Sequence, residues 1–431
     1  MRCLRTLFGL MSLAIAAPGL SAQAKQRPDN IGTLWEAAHR AGNSEGYRQL
    51  MARAVALAPH PAVLYGLARG NALTGRPGDA LAILDRLAAM GFTHFDAADT
   101  AFRSLAKRPA FARLSKRFAA NRQPVIASDT AFTVPGSDRI PENIAFDSTT
   151  GTFFLGSLAE RTVVRFRPGE TPRPFAGPAD DLLRVVGMKV DRGRSRLWVA
   201  TWAPVIDSAR LALGFDTDTR LFAFDIDSGR RLLSLMPDTT RPHLLNDLVV
   251  TASGDVYLTD TNEGAVYRVR VGVDSLERVV RPDPARFNFA NGIALSGDAR
   301  RLYIGFGEGI AGLDLASGRI RYLTVPATIS TASVDGLYWY EGDLIAIQMV
   351  SSVERVVRFV LDKTGWRVLR ADVLERAHPA YRYPTTGVIV GDSLYYVANP
   401  GWDRLEDNGT VKPAATPSPT VILRLPLRKR R

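Results

Sequence analysis

The stretch Asn291-Gly-Ile-Ala-Leu is one copy of a short phrase that the chain repeats, and this repeat decides the fold. Six copies lie between residues 142 and 391. We call the first residue of each copy its lead residue, and the copies read Glu142-Asn-Ile-Ala-Phe-Asp, Val186-Gly-Met-Lys-Val-Asp, Asn246-Asp-Leu-Val-Val, Asn291-Gly-Ile-Ala-Leu, Asp335-Gly-Leu-Tyr-Trp and Thr386-Gly-Val-Ile-Val. The lead residues are 44, 60, 45, 44 and 51 positions apart. Such a period, with several strands per unit, is typical of β-propeller blades.

Further strand-like segments follow each phrase. Second strands such as 301–305 and third strands such as 265–269 are rich in apolar and β-branched residues, and turn sequences separate the first strand of a unit from the second. The last unit ends at its third strand, 421–425, so we expect segment 127–134, before the first phrase, to supply the missing fourth strand. The pattern predicts an all-β six-bladed β-propeller over residues 125–427.

The region before the propeller is predicted to be a small α-helical segment over residues 30–122. Ala, Leu and Arg dominate it, and apolar positions recur every three or four residues. Residues 62–90 are expected to form a helical hairpin around Gly75-Arg-Pro-Gly, with small residues at Ala68 and Ala80 that allow close approach of the helices. The hairpin resembles a tetratricopeptide unit. Two roles stay open for this segment, a cap packed on the main domain or a module that binds a protein partner.

The first 24 residues have the pattern of a secretory signal peptide. Arg2 and Arg5 precede an apolar run at 7–17, and Ala22-Gln-Ala follows as a cleavage sequence. The run is shorter than a membrane span needs, so we expect no stable span after cleavage, with an uncleaved anchor as the alternative. The only cysteine, Cys3, lies in this segment, which predicts a mature protein without thiol chemistry. These features favour a periplasmic or secreted protein.

The net charge of +12 falls to +10 once Arg2 and Arg5 are removed with the signal. A basic chain can bind nucleic acid or anionic membranes. Here the arginines are scattered, and only residues 428–431 form a basic run. We therefore interpret the charge as a solvated basic surface and expect no nucleic-acid partner.

The lead residues differ in chemistry, and the difference points to a site. In a propeller the first strand of each blade lines the central channel, so the lead residues are expected to meet at one mouth of it. Four of them carry carboxylate or amide oxygens, which can bind a metal ion: Glu142, Asn246, Asn291 and Asp335. Two carboxylates and two amide oxygens suit Ca²⁺ or another hard divalent cation. The alternative is that Asn-Gly and Asp-Gly simply make turns where strands start.

These segments resemble the senescence-marker-protein-30/gluconolactonase family, which neighbours the paraoxonase, diisopropyl-fluorophosphatase and strictosidine-synthase-like propellers. The resemblance rests on the phrases at Glu142, Asn246 and Asp335 and on Asn291-Gly-Ile-Ala-Leu-Ser-Gly-Asp followed by Leu302-Tyr303. It covers about residues 125–427. It implies a catalytic divalent cation held by Glu142, Asn246, Asn291 and Asp335, and hydrolysis of lactones or related esters. Asp335 would then be both ligand and base or nucleophile.

The chain also departs from that family. Its lactonase members have an arginine two residues before the asparagine matched to Asn246, whereas this chain has Leu244, with His243 before it. The family's substrate clamp is therefore not transferred. His243 is a second candidate base, because a histidine can accept a proton at neutral pH, although a surface position is the alternative.

Loop residues near the expected mouth are further candidates for the site. Aromatic side chains there suit an apolar substrate wall or a seal between blades, and they are Trp202, Tyr381, Tyr383 and Trp402. Asp260 and Glu308 follow second strands and are interpreted as solvated loop acids, with a contribution to the charge near the cation as the alternative.

The sequence thus predicts a calcium-dependent hydrolase of lactones or related esters that acts on a small-molecule substrate. Its proposed metal ligands are the four oxygen-bearing lead residues, with Asp335 and His243 as catalytic candidates. Two alternatives stay open. One is a non-catalytic binding or scaffold propeller whose helical segment binds a protein partner, and the other is a metal-free enzyme of the strictosidine-synthase-like kind.

Overall fold

The computed structural model describes residues 30–136, 139–205, 217–238, 241–283, 287–349, 354–406, 410–412 and 418–428. The predicted signal peptide lies outside the described residues. Among the helices within these ranges, none has the length and apolar character needed to cross a membrane.

Within the described ranges, five α-helices precede the strands: α1 (Ile31–Arg40), α2 (Ser44–Leu57), α3 (Pro61–Leu73), α4 (Pro77–Ala89) and α5 (Pro109–Asn121). The helical hairpin predicted at 62–90 corresponds to α3 and α4, and Gly75 has the left-handed φ of 72° that its turn requires. Ala68 and Ala80 are fully buried in the apolar core between these helices. Short 3₁₀ helices lie at Thr100–Leu105, Pro178–Asp180, Arg192–Arg194 and Trp402–Arg404.

The described strands form six four-stranded antiparallel sheets, the blades. The chain enters through β1 (Asp129–Val134). Blade 1 contains β2 (Ile144–Asp147), β3 (Thr152–Ser157), β4 (Thr162–Phe166) and β5 (Arg173–Ala176). Blade 2 contains β6 (Arg184–Asp191), β7 (Arg196–Pro204), β8 (Thr217–Asp225) and β9 (Arg231–Leu235). Blade 3 contains β10 (Leu245–Val250), β11 (Val256–Asp260), β12 (Ala265–Val269) and β13 (Glu277–Val280).

The second half of the ring repeats this arrangement. Blade 4 contains β14 (Ile293–Leu295), β15 (Arg301–Phe306), β16 (Gly309–Asp314) and β17 (Ile320–Tyr322). Blade 5 contains β18 (Val334–Tyr340), β19 (Asp343–Gln348), β20 (Arg355–Leu361) and β21 (Val368–Arg376). Blade 6 contains β22 (Gly387–Val390), β23 (Ser393–Val397) and β24 (Thr420–Pro426), and β1 is its fourth strand.

The six blades close into a ring, which confirms the predicted six-bladed β-propeller. The first strands contact one another in the order β2, β6, β10, β14, β18, β22 and back to β2. Closure occurs in blade 6, where β1 pairs antiparallel with β24, Thr130 opposite Leu423. The prediction that residues 127–134 supply this strand is therefore confirmed, and the pairing covers the edge of β24 and makes β1 the outer strand of the blade.

Apolar side chains from adjacent blades interlock and form the propeller core. Between blades 1 and 2, for example, Phe154 packs in one cluster with Val185 and Phe222. Each such fully buried side chain stabilises the fold by about 1.5–3 kcal/mol relative to an exposed one. The first strands therefore have fixed positions, and so do the loops that enter them.

Candidate functional site

Glycines after the lead residues let the first strands approach closely at the centre of the ring. A Cβ atom on Gly292 would collide with the Asp335 carbonyl oxygen of the next blade, and one on Gly187 would collide with the Asn246 carbonyl oxygen. Gly292 is not among the glycines with positive φ in the described chain. Its role is therefore close backbone approach, and the alternative that Asn291-Gly292 is there only to make a turn is wrong for this copy.

A cavity of about 190 Å³ lies at the end of the ring where the first strands begin, which we call the entry face. All four oxygen-bearing lead residues line it, namely Glu142, Asn246, Asn291 and Asp335. Three of the four aromatic residues predicted at the mouth line it as well: Trp202, Tyr383 and Trp402. Tyr381 is instead buried between blades 5 and 6 against Tyr396, as the alternative interpretation had it.

Glu142 is a buried carboxylate with a neutral hydrogen-bond donor. Its side chain is 5% exposed, and Trp402 Nε1 donates to Glu142 Oε2 at 2.5 Å. Burial raises the pKa of Glu142 well above its ordinary value, the charge of Asp335 raises it further, and the Trp402 bond lowers it only in part. The ionised form of Glu142 therefore lacks a compensating positive charge in the described structure.

Asp335 and Asn291 form a pair on the neighbouring blades 5 and 4. Asp335 is 4% exposed, and burial raises its pKa to about 7 despite a hydrogen bond from the Asn291 side chain. Asn291 donates this bond through its amide nitrogen. The other polar atom of its side chain, Oδ1, is buried and has no hydrogen-bond partner among the described residues. A buried amide oxygen without a partner is costly unless a ligand satisfies it.

Asn246 is held by a chain of hydrogen bonds between blades 3 and 4. Its Nδ2 donates to Thr261 Oγ1 at 2.9 Å, and Thr261 Oγ1 in turn donates to the Ala290 carbonyl oxygen at 2.7 Å. Because Thr261 uses its own proton on Ala290, its oxygen must accept from Asn246. This fixes the amide orientation and keeps Asn246 Oδ1 out of the bond, available for another partner.

The two remaining lead residues have other roles. Val186 lines the cavity as an apolar side chain. Thr386 is 3% exposed, and its hydroxyl donates to the Glu142 carbonyl oxygen at 2.7 Å, alongside that of Thr385 at 2.9 Å. The lead residue of blade 6 therefore ties the last blade to the first, at the position that carries Glu142.

The sequence interpretation missed two further polar side chains of the channel, Asp247 and Tyr338. Burial raises the pKa of Asp247, and its two oxygens accept from the backbone N–H groups of Leu248 and Ile293 at 2.9 and 3.2 Å. The signal was present, because the second position of the phrase is glycine in four copies and aspartate here. We call Glu142, Asp247 and Asp335 the axial cluster, since charges within this set raise the pKa of Glu142.

Tyr338 lies beside the axial cluster in blade 5. Burial and the charges of Asp247, Asp335 and Glu142 all raise its pKa well above the ordinary value, so the phenol is neutral. Its oxygen accepts a hydrogen bond from the Gly387 N–H at 2.5 Å. The channel beneath the cavity therefore contains a neutral phenol and a third carboxylate.

His243 is buried in blade 3 and is not among the residues that line the cavity. Its Nδ1 lies 2.5 Å from Asp260 Oδ2 and 3.9 Å from Glu263 Oε2. We call His243, Asp260 and Glu263 the blade 3 cluster. Their ligand atoms lie within 4.8 Å of one another, close enough to hold a metal ion.

Arginines surround this second cluster, however. Burial alone would raise the pKa of Glu263, but the Tyr267 hydrogen bond and the charges of His243, Arg278 and Arg241 hold it below the ordinary value. Asp260 is 0% exposed and accepts from the Leu244 and Glu263 N–H groups, so its interpretation as a solvated loop acid is wrong. Internal partners already satisfy the acids of this cluster, as in a buried ion network. His243 Nε2, however, is buried and has no hydrogen-bond partner among the described residues.

The axial site fits a hard cation by its donor chemistry. It offers carboxylate oxygens from Glu142 and Asp335, a buried unpartnered oxygen on Asn291, and a fixed amide on Asn246. No positive side chain contributes to the pKa of either Glu142 or Asp335 within the described chain. Oxygen-only ligands of this kind are those that calcium prefers.

Comparisons with known proteins show likeness at the level of architecture only. No protein-family model matches the chain, and no curated protein sequence does. Among solved structures, a gluconolactonase from Xanthomonas campestris is 17% identical, with a TM-score of 0.46 over 71% of this chain and 98% of the other. A luciferin-regenerating enzyme is 14% identical, with a TM-score of 0.47 over 70% and 95% of the two chains. A catalytically inactive virginiamycin B lyase from Staphylococcus aureus is 13% identical, with a TM-score of 0.46 over 72% and 89%.

Proposed function

We propose that the protein is a calcium-dependent hydrolase of lactones or related esters. The observation that carries the proposal is the convergence of four side chains with carboxylate or amide oxygens in one cavity. Among the described residues, its two buried carboxylates have no positive partner and Asn291 Oδ1 has no hydrogen-bond partner. Each of these features is costly without a cation and favourable with one. The residues that would hold the ion are Glu142, Asn246, Asn291 and Asp335.

Such an ion supplies Lewis-acid polarisation of a carbonyl group and a lower pKa for nearby water. The chain supplies orientation. Thr261 holds the Asn246 amide, Trp402 holds the Glu142 carboxylate, and the Asn291 amide group holds Asp335. Rigid outer partners of this kind keep ligands in place for binding and turnover.

Asp335 is the group best placed to accept a proton in the reaction. It lines the cavity and is buried, and its raised pKa of about 7 suits a group that accepts a proton near neutral pH. In hydrolysis the oxygen of water bonds to the carbonyl carbon, the ring or ester C–O bond breaks, and the proton taken by Asp335 passes to the leaving oxygen. His243 stays a weaker candidate base, because its side chain lies outside the cavity lining.

The experiment is a hydrolysis assay of the purified protein on a panel of lactones and carboxylic esters, with EDTA and with calcium restored. We expect turnover that EDTA abolishes and calcium recovers. Hydrolysis that EDTA leaves unchanged would contradict the proposal and favour the metal-free alternative. Calcium binding without turnover of any ester would favour the binding-propeller alternative.

Location and partners remain proposals that rest on the sequence. The pattern of residues 1–24 favours export to the periplasm or secretion, which cleavage after Ala24 in the mature protein would test. The sequence also leads us to propose that the tetratricopeptide-like helical segment binds a protein partner. A partner that binds the propeller without contacting the helical segment would contradict this proposal.

A further inference from the structure

The cavity wall facing the four oxygen donors is largely apolar. Its main apolar side chains are Trp202, Leu244, Phe289, Phe306, Met349 and Trp402. No lysine, arginine or histidine is among the described residues that line the cavity. A substrate that reaches the axial cluster must therefore place most of its surface against hydrocarbon and aromatic rings.

Phe289 is the most unusual of these side chains. It lies two residues before Asn291, is 37% exposed, and has a φ of 55°, in the left-handed region. That conformation is costly for a bulky residue and exposure of the ring adds to the cost, which makes Phe289 a candidate for a role in binding.

Neighbouring bonds hold Phe289 in this conformation. Asn288 Nδ2 donates to Glu308 Oε1 at 2.9 Å, and the Asn288 N–H donates to Glu308 Oε2 at 3.2 Å. The Gly307 N–H donates to the Asn288 carbonyl oxygen at 2.8 Å. Glu308 therefore holds the loop that contains Phe289, because both of its carboxylate oxygens accept hydrogen bonds from Asn288. Its interpretation from the sequence as a solvated loop acid is wrong.

Leu244 occupies the equivalent place in blade 3, two residues before Asn246, and it also lines the cavity. The positions two residues before these two proposed ligands are thus both apolar. A polyhydroxylated ring would find no charged or amide partner there, whereas an alkyl or aryl group would bury its surface.

We infer that the cavity takes neutral lactones or esters with an alkyl or aryl substituent, and that Phe289 and Leu244 form the subsite for that substituent. This inference rests on the proposed function and narrows its substrate class. Each extra methylene in such a subsite changes specificity by roughly 10-fold or more.

The test compares kcat/KM for γ-nonalactone, γ-butyrolactone and glucono-δ-lactone with calcium present. We expect γ-nonalactone to exceed glucono-δ-lactone by at least roughly tenfold. Phe289→Ser should lower the ratio of γ-nonalactone to γ-butyrolactone by about tenfold. Leu369→Ser is the matched control, because Leu369 is also an exposed apolar side chain, at 52%, but is not among the residues that line the cavity.

Three outcomes count against the inference in different ways. Equal or better turnover of glucono-δ-lactone overturns the apolar subsite while the hydrolase stands. No turnover of any of the three lactones overturns the subsite together with the proposed function. An equal fall in the ratio for both serine variants also contradicts a specific role for Phe289.

A different set of contacts concerns the helical segment, which packs on the entry face at blade 5. The three contacts run from His60 Nε2 to Ser333 Oγ at 3.2 Å, from Arg86 Nε to the Ala327 carbonyl oxygen at 2.8 Å, and from Arg355 Nη1 to the Met90 carbonyl oxygen at 3.1 Å. Two of them end on the loop that leads into β18. That loop delivers Asp335 to the cavity.

The third contact reaches the same loop through a buried relay. Arg355 is 5% exposed, and its Nε donates to Gln348 Oε1 at 2.9 Å. Gln348 Nε2 then donates to the carbonyl oxygens of Ala332 and Ser330, at 2.8 and 3.2 Å. The end of α4 is therefore connected to the backbone just before Asp335.

Ser333 is the residue on which this support converges. It lines the cavity, it lies two residues before Asp335, and its φ of 55° is in the left-handed region. Its carbonyl oxygen accepts from the Met349 N–H at 3.1 Å, and Met349 also lines the cavity. A strained residue needs outside support to keep its conformation, and His60 supplies part of it.

We propose that the helical segment is a positioning element for the cation site, with His60 and Arg86 as positioning residues that act on Asp335 through the Ala327–Ser333 loop. This proposal also rests on the cation site of the proposed function. Loss of an outer partner of a metal ligand typically weakens metal affinity by roughly 10- to 100-fold.

The test is a calcium titration by calorimetry on the full chain and on the double variant His60→Asn with Arg86→Ala. Asparagine can still cap α3, as His60 does through the Ala62 N–H, but is too short to keep the Ser333 contact. We expect the Kd for calcium to rise by about 10-fold or more. Arg86→Lys in place of Arg86→Ala keeps a donor and should recover part of the affinity.

Arg165→Ala is the matched control, because Arg165 Nη1 also donates to a carbonyl oxygen at 2.8 Å, that of Asp227, in blades 1 and 2. Its Kd should equal that of the wild type. A double variant that keeps the wild-type Kd while its melting temperature in EDTA falls would overturn the positioning role and leave a merely structural one. Absence of calcium binding by the wild type would overturn the proposal and the proposed function together.

Discussion

The axial cluster and the blade 3 cluster both bury acidic side chains, yet they differ in what surrounds them. Asp260 and Glu263 have His243, arginines and backbone N–H groups as partners, and the pKa of Glu263 is lowered. Glu142 and Asp335 have one neutral donor each, and their pKa values are raised. A buried acid with internal partners has its charge compensated inside the protein, whereas a buried acid without them is a candidate for ligand binding. The spacing of the ligand atoms alone favours the blade 3 cluster as a metal site, and the missing internal partners favour the axial cluster.

The largest expected effect is on turnover by Asp335→Ala. Loss of a proposed ligand and base should lower kcat/KM for lactones by roughly 10²- to 10⁴-fold. The measurement is initial-rate kinetics with saturating calcium. Asp372→Ala is the matched control, since Asp372 lies in the same blade and pairs with Arg370 outside the cavity. Retention of more than a tenth of the activity by Asp335→Ala would remove this residue from the mechanism.

The next effect is on the free energy of unfolding. We expect an Asp→Asn substitution to change it with opposite signs in the two clusters. In EDTA at pH 8, Asp335→Asn should stabilise the protein, because it removes a buried charge that has no positive partner. Asp260→Asn should instead destabilise it by about 1–3 kcal/mol, because Asp260 accepts hydrogen bonds from His243 and two N–H groups. Urea unfolding of both variants measures the difference. Shifts of the same sign would abolish the distinction between the clusters.

A smaller effect on activity is expected for His243→Asn. The side chain lies outside the cavity lining and is bonded to Asp260, so kcat/KM should fall by less than about tenfold, below the usual effect of losing a general base. The calcium-induced rise in melting temperature should persist. A loss as large as that of Asp335→Ala would instead assign the base to the blade 3 cluster.

The smallest effect is on the pH dependence of stability through His60. Burial lowers the pKa of His60 from 6.5 to about 4, so between these values the unfolded chain binds a proton that the native chain does not. The contribution of neutral His60 is complete above pH 6.5 and is lost as pH falls from 6.5 towards 4. His60→Asn should flatten this fall, as urea midpoints at pH 7.5 and 5.0 would show. Parallel midpoints for the two proteins would contradict it.

The sequence predicted well what depends on local pattern and on repetition. The bounds of β12 agree with the predicted third strand 265–269, and β1 closes the ring as expected, because strand period and turn residues are local signals. The four oxygen-bearing lead residues reach one cavity because equivalent positions of a ring converge on its axis. No feature of any single copy reveals this; it follows from comparing the copies.

What the sequence could not give depends on contacts between distant residues. The arginine partners that neutralise Glu263 come from separate strands and loops, so the burial of the blade 3 cluster had no local signature. The helical segment meets the site through His60 and Ser333, which are 273 positions apart. Asp247 could have been recognised from the sequence, because it is an aspartate at a position of the phrase where four other copies have glycine. Its burial could not, because it depends on contacts with the neighbouring blade.

The most direct test of the central claim is a calcium titration of the EDTA-treated protein by isothermal calorimetry, with variants from each cluster. The account predicts that the wild type and Asp260→Asn bind one ion per chain. It also predicts that Glu142→Gln and Asp335→Ala bind at least roughly 100-fold more weakly, since the first removes one of the two negative charges of the site and the second removes a proposed ligand. Calcium binding that survives in Asp335→Ala and disappears in Asp260→Asn would contradict it, and so would a wild type that binds no calcium.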